Sequence, residues 1–195
     1  MSGDVQAALM AGSVRLARVG PVWQLGYVPD DFERSLAFWT QVMGAGPFFV
    51  RDRIELSGVR FRGAPSDIRF GAALGYWGDV NIELIRQDND APSIYRGWDN
   101  AGGRDVLHHV CTLVEDLDAA VRSARMDGAE VMQEGRAPDG HGALAYLSYG
   151  AAAPAGYVEL VQMSPSWRRL HTWLRDEARH WDGRDPVRHT VGYGA

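Results

Sequence analysis

The chain has 195 residues, 20 of them basic and 25 acidic, for a formal charge of -5. With 46% hydrophobic and 23% charged residues it reads as a globular protein of one domain or two small modules, not a disordered or fibrous chain. Every basic residue is an arginine and only Cys111 is a cysteine. This excludes lysine Schiff-base and P-loop chemistry, an intrachain disulfide and a thiolate zinc cluster, and the acidic balance without a basic tract argues against nucleic acid as a partner.

Residues 1–19 form an N-terminal extension. Its Ala8-Leu9-Met10-Ala11 stretch is too short for a secretory apolar region. No run approaches the roughly 18–20 apolar residues of a membrane span. The expectation is a cytoplasmic protein with no membrane partner.

Val22 to Val28 is rich in β-branched and aromatic residues and predicts a strand. Pro29-Asp30-Asp31 follows, then Phe32, Leu36, Ala37 and Trp39 at helical spacing up to Gly44. Residues 47–56 and 68–75 read as strands, and Asn81-Ile82-Glu83-Leu84-Ile85 closes a first βαβββ module over residues 20–90. A linker spans 91–105.

Residues 106–163 then repeat the pattern. His109 to Val114 predicts a strand, and Asp116 opens a helix with Leu117, Ala120, Val121 and Ala124 on one face, ending at Gly128. Strands over 130–134 and 143–149 lead to the closure Tyr157-Val158-Glu159-Leu160-Val161. Gln24 stands seven residues before Asp31 and His109 seven before Asp116, so the two strand-to-helix turns share a register. In residues 164–195, Trp167, Leu170, Leu174, Ala178 and Trp181 make an apolar stripe with arginines opposite. The expectation is an amphipathic helix that covers an end of the sheet or a subunit contact, with a substrate lid as the second reading.

Alternation puts Gln24, Gly26 and Val28 on one face of the first strand and Trp23, Leu25 and Tyr27 on the other. It puts His109 and Cys111 together and turns His108 away as a packed or hydrogen-bonded strand residue. If the halves pair by pseudo-symmetry, Gln24 meets His109, and Glu83 meets Glu159. Two carboxylates, an imidazole and an amide converging on an apolar sheet point to a divalent cation. Without one, the buried carboxylates repel and one stays protonated. Cys111 reads as a small core residue, since a nucleophilic thiol needs an electropositive setting.

The strand Gln24 to Val28, the Pro29-Asp30-Asp31 turn, the Leu107-His108-His109-Val110 stretch and the Ile-Glu-Leu and Val-Glu-Leu closures resemble the vicinal oxygen chelate superfamily. That group holds glyoxalase I, methylmalonyl-CoA epimerase, extradiol dioxygenases, and fosfomycin and bleomycin resistance proteins. The resemblance covers about residues 20–163 and implies an α+β fold: two βαβββ modules paired into an open, metal-enclosing β-barrel, here with a C-terminal helix. It implies Gln24, Glu83, His109 and Glu159 as metal ligands, a set similar to that of zinc-type glyoxalase I. A single histidine at these positions argues against an extradiol dioxygenase, which needs two.

The implied activity is proton transfer next to a carbonyl, as in an isomerase, epimerase or lyase. Glu159 is the candidate base and Glu83 its counterpart on the other side of the substrate. Asp67 lies about where the epimerase places a catalytic glutamate. Zinc, nickel, cobalt, manganese or magnesium suits one nitrogen and three oxygens. Phe49, Tyr76, Tyr95, Trp98 and Tyr146 are candidate substrate-binding residues for a small apolar or aromatic molecule. The alternative is a metal-free binding protein of the bleomycin-resistance type, and a metal-dependent resistance transferase is a third possibility. Paired modules of this kind imply a homodimer.

Overall fold

The computed structural model describes residues 20–97, 105–150 and 156–189. Strand β1 (Val22–Tyr27) leads into helix α1 (Phe32–Ala37), which continues through one π-helical turn over Phe38–Val42. The Asp31 carboxylate caps α1 by accepting from the Arg34 N–H at 2.9 Å. The first half continues with β2 (Phe48–Arg51), β3 (Ser57–Phe61), β4 (Ala64–Pro65), β5 (Phe70–Trp77) and β6 (Val80–Gln87).

The second half repeats the plan with β7 (Leu107–Leu113), α2 (Leu117–Met126), β8 (Glu130–Arg136), β9 (Ala143–Ser148) and β10 (Tyr157–Gln162). Asp116 caps α2 as Asp31 caps α1, accepting from Ala119 N–H at 2.9 Å. Helix α3 (Pro165–Arg179) and β11 (Val187–His189) complete the chain. Among the described residues no helix is long and apolar enough to cross a membrane.

All strands join one sheet in the order β11-β2-β5-β6-β1-β7-β10-β9-β8-β3-β4. The halves meet at the antiparallel β1–β7 seam, and reading outward from it gives the same strand sequence on both sides. The register repeats too. Gln24 pairs with Cys111 and Gly26 with His109 across the seam. Gly26 lies beside Glu83 in the parallel β1–β6 pair, and Cys111 beside Glu159 in the parallel β7–β10 pair. One offset therefore relates Gln24 to His109 and Gly26 to Cys111, and a second relates Glu83 to Glu159. Phe70 of β5 and Tyr146 of β9 share one buried cluster although their strands are far apart in the sheet. The sheet is therefore curled around that cluster, an open α+β barrel as expected.

The outer surface is covered by helices. Ile82 and Leu84 of β6 pack with Leu36 and Trp39 of α1, and Leu160 of β10 packs with Leu117 and Ala124 of α2. That packing turns Glu83, and likewise Glu159, to the inner face with Ile85 and Val161.

Three features depart from the sequence reading. First, β1 and β7 each carry a bulge, between Val22 and Gln24 on one strand and between His109 and Leu107 on the other. The extra residues are Trp23 and His108, which occupy equivalent places. Trp23 packs against the inner cluster with Phe70 and Tyr146, not on the α1 side with Leu25 and Tyr27. A bulge interrupts alternation, which is why simple period-2 counting assigns Trp23 the other face.

Second, β3 crosses from the first half to pair with β8 of the second, carrying β4 with it. Third, α3 lies on the inner face of the first half, where Leu170 and Leu174 pack with Phe49, Leu74 and Tyr76. The chain then turns at Asp182-Gly183 so that β11 adds in parallel to β2.

Candidate metal centre

Glu83, His109 and Glu159 converge at the seam. Their nearest ligand atoms all lie within 4.8 Å of one another. His109 Nε2 sits 3.5 Å from Glu83 Oε2 and 3.4 Å from Glu159 Oε2. The imidazole is fully buried, and the carboxylate side chains are 15% and 5% exposed respectively. His109 Nε2 and Glu159 Oε2 have no hydrogen-bond partner among the described residues. Buried polar atoms are rarely left so, and the donor set is one that hard or borderline divalent cations accept. The residues present therefore fit a metal ion.

The electrostatics agree. Burial pushes the Glu159 carboxyl above its ordinary range and the Glu83 charge adds to this. His109 opposes it, as do the Cys111 thiol and the Tyr146 hydroxyl. Burial, with the Glu159 charge behind it, drives the Cys111 thiol well up, so this cysteine is an inert core residue.

Gln24 is buried on the same inner face. Its Nε2 donates to Asn81 Oδ1 at 2.8 Å, and Asn81 Nδ2 donates in turn to the Gly75 carbonyl at 2.9 Å. This chain orients the amide and leaves Gln24 Oε1, the atom a cation would take, outside that bond.

Tyr95 and Tyr146 adjoin the centre. The Tyr146 and His109 rings meet edge-on with centroids 5.2 Å apart, and the Tyr95 hydroxyl donates to the Tyr146 hydroxyl at 3.1 Å. Burial first, and the two glutamate charges after it, push both phenols far up, so they remain neutral hydrogen-bond groups. Phe49 and Tyr76 are also on the inner face but are covered by α3. The Phe49 ring lies 4.5 Å from that of Trp173, and the Tyr76 hydroxyl donates to the His171 carbonyl at 3.4 Å. Trp98 lies outside the described residues. Asp67 is exposed, with its carbonyl accepting from Asn89, and is not brought to the centre.

Several neighbours escape a reading of sequence. Gln133 is buried on β8 with its Oε1 accepting from the Ile94 N–H at 3.3 Å. This ties the Ile94–Tyr95 stretch to the inner face of the second half, much as α3 covers the first. A cavity of about 250 Å³ opens beside Ile54, Leu56, Ile68 and Phe70 and ends at Phe70, whose ring packs 5.5 Å from that of Tyr95.

Two pseudo-symmetric βαβββ halves with carboxylates and an imidazole at their seam define a vicinal oxygen chelate protein. The sequence profile of the Glyoxalase/Bleomycin resistance protein/Dioxygenase superfamily matches residues 23–146, more than half of the chain. The protein belongs to that superfamily. Among solved structures it is similar to methylmalonyl-CoA epimerase from Mycobacterium tuberculosis, with 17% identity, a TM-score of 0.51, and coverage of 76% of this chain and 91% of that one. A hypothetical protein from Bacillus halodurans C-125 is similar at 15% identity and TM-score 0.51, covering 74% of this chain and 94% of that one. At these identities the likeness is one of fold. No curated protein matches the chain significantly.

Proposed function

We propose that the protein is a divalent-metal-dependent enzyme of the glyoxalase type that moves a proton next to a carbonyl, as an isomerase, epimerase or lyase. The observation that carries this reading is the convergence of Glu83, His109 and Glu159, with His109 Nε2 and Glu159 Oε2 buried and lacking any hydrogen-bond partner among the described residues. Glu83, His109 and Glu159, with Gln24 Oε1 as a fourth donor, would hold the ion. When bound, it would supply positive charge to stabilise a developing oxyanion and bring the carbonyl oxygen to the seam.

The chain's own residues do the rest. Glu159, a buried carboxylate beside His109 at the seam, is placed to take a proton from carbon. Glu83, 3.5 Å from the same His109 nitrogen, is the second carboxylate and would return the proton. The neutral Tyr95–Tyr146 hydroxyl pair offers a hydrogen bond to a substrate oxygen without adding charge. Phe70, Ile85, Met132 and Val161 make the surrounding wall apolar, which suits a small apolar or aromatic substrate.

The test is elemental analysis of the purified protein beside Glu159→Gln and His109→Ala, followed by proton exchange of candidate carbonyl compounds in deuterated water. About one zinc, nickel, cobalt or manganese per chain, lost in both variants, together with exchange only in the loaded wild type, supports the enzyme. A chain that takes up none of these metals yet binds an aromatic compound tightly would instead be a metal-free sequestering protein.

A further inference from the structure

His108 contacts His109 through its ring. The Nδ1 atoms of the two imidazoles lie 2.9 Å apart, and His108 Nε2 lies 3.2 Å from the Ile94 carbonyl oxygen. The β7 bulge makes this possible, because it turns His108 inward immediately before the ligand position. The ring is fully buried, with the rings of Tyr95 and Tyr157 at centroid distances of 5.5 and 5.1 Å.

These contacts determine where the ring hydrogens are. A carbonyl oxygen only accepts, so His108 Nε2 must carry its hydrogen and donate to Ile94. A neutral His108 then has a lone pair at Nδ1, and His109 Nδ1–H must donate to it. The remaining nitrogen, His109 Nε2, is the one that faces Glu83 and Glu159, at 3.5 and 3.4 Å. With its proton released, that nitrogen offers the lone pair that a cation between the carboxylates would take.

We infer that His108 is a positioning residue for the metal centre: by accepting from His109 Nδ1 and donating to the Ile94 carbonyl, it holds His109 in the tautomer that offers Nε2 to the ion. This inference rests on the metal reading proposed above. It also gives the linker a role, since Ile94 belongs to the stretch tied to the inner face, and the Ile94 N–H is itself held by Gln133. The placement of the linker backbone is thereby coupled to the imidazole that would bind the ion. Outer-shell partners of this kind typically change metal affinity by about 10–100-fold.

The test uses the full chain with zinc as the probe. Nitrogen-15 NMR of the imidazoles in the zinc-loaded wild type should show His108 protonated at Nε2 and bare at Nδ1, with His109 protonated at Nδ1 and zinc-bound at Nε2. Competition with a chelating dye should find zinc bound about 10–100-fold more weakly by H108L. H108Q should recover most of the affinity, because a glutamine amide can accept from one side and donate to the other. A His109 bound to zinc through Nδ1 overturns the inference, as does H108L binding zinc as tightly as the wild type. The NMR result decides the matter even if H108L fails to fold. Wild type that takes up no zinc, nickel, cobalt or manganese overturns the metal reading as well, and that outcome differs from zinc bound normally without His108.

Discussion

Gly26 faces His109 across the β1–β7 seam, and the imidazole occupies the space that a Cβ on residue 26 would fill. The ring thus packs directly on the Gly26 backbone, with its Nε2 3.5 Å from Glu83 and 3.4 Å from Glu159. Glycine is required here for close approach and not for an unusual backbone angle, since Gly26 is absent from the left-handed region. Its counterpart by pseudo-symmetry is Cys111, the smallest side chain on its own strand.

Gly26→Ala should therefore displace the His109 ring. The expected cost is about 1–3 kcal/mol of stability, the usual scale of overpacking in a tight interior. Metal binding should fall with it. Denaturant melts and zinc competition on the same variant check both effects, and an unchanged zinc affinity would show that the ring has another place to go.

The second expectation concerns the sign of a single substitution. Without metal, Glu159 is a buried carboxyl group beside Glu83, with no hydrogen-bond partner at Oε2 among the described residues. In chelator, Glu159→Gln should stabilise the chain by about 1–3 kcal/mol, the scale of relieving a buried unsatisfied group. With zinc present at a thousandfold over Kd, the wild type gains about 4.1 kcal/mol and the variant loses that gain. Thermal melts with and without zinc should thus rank the two proteins in opposite orders. The same order in both conditions would remove the metal from the account.

Much of this arrangement is legible in the amino-acid sequence. Gln24 and His109 share a spacing to their helix caps, Asp31 and Asp116, and Glu83 and Glu159 interrupt otherwise apolar closing strands. Both facts follow from one repeated unit, and the observed register reproduces the repeat pair by pair. What alternation alone does not show is the bulge. Trp23 and His108 are each one residue out of phase, so period-2 reasoning gives Trp23 the wrong face and misses the contact between the two histidines. The docking of α3 is hidden for a different reason. The stripe of Leu170 and Leu174 says that a helix buries one side, but any apolar surface satisfies it. Only the three-dimensional structure shows that the surface is the inner wall formed by Phe49, Leu74 and Tyr76. Strands β3 and β11 pair across long sequence separations with few apolar residues to mark them.

His171, on α3, predicts a pH dependence. Its ring packs edge-on against Trp23 at 4.7 Å, and its Nδ1 is buried without a hydrogen-bond partner among the described residues. Burial, with Arg51 nearby, lowers its pKa from 6.5 to about 4. A histidine whose folded value is depressed favours the folded state fully above the unfolded value. That contribution is lost as pH falls from 6.5 through about 4, because only the unfolded chain takes the proton readily. The loss should amount to no more than about 3 kcal/mol. His171→Phe should flatten the stability profile over this window while leaving its neutral-pH end nearly unchanged. Urea titrations from pH 7 down to pH 4 read this directly, and parallel profiles for both proteins would contradict it.

Helix α3 also bears on access to the centre. Leu74, one of the residues it covers, pairs directly with Glu83 in the β5–β6 ladder and shares its face. The covering is anchored inside by Leu174, which is 1% exposed, and outside by Arg175 and Arg179 on Asp79 at 2.8 and 3.3 Å. The surface ion pairs are worth at most about 1 kcal/mol each, so the buried leucine should dominate. Leu174→Ala should cost about 2–5 kcal/mol if the helix unfolds with the rest of the chain. If the helix detaches alone, the measured loss will be smaller and hydrogen exchange will quicken only along α3. In either case the Glu83 side of the centre opens more often, so zinc should leave Leu174→Ala faster than it leaves wild type or the surface control Arg168→Ala. Equal release rates in stopped-flow chelator experiments would show that α3 does not control exit from the centre.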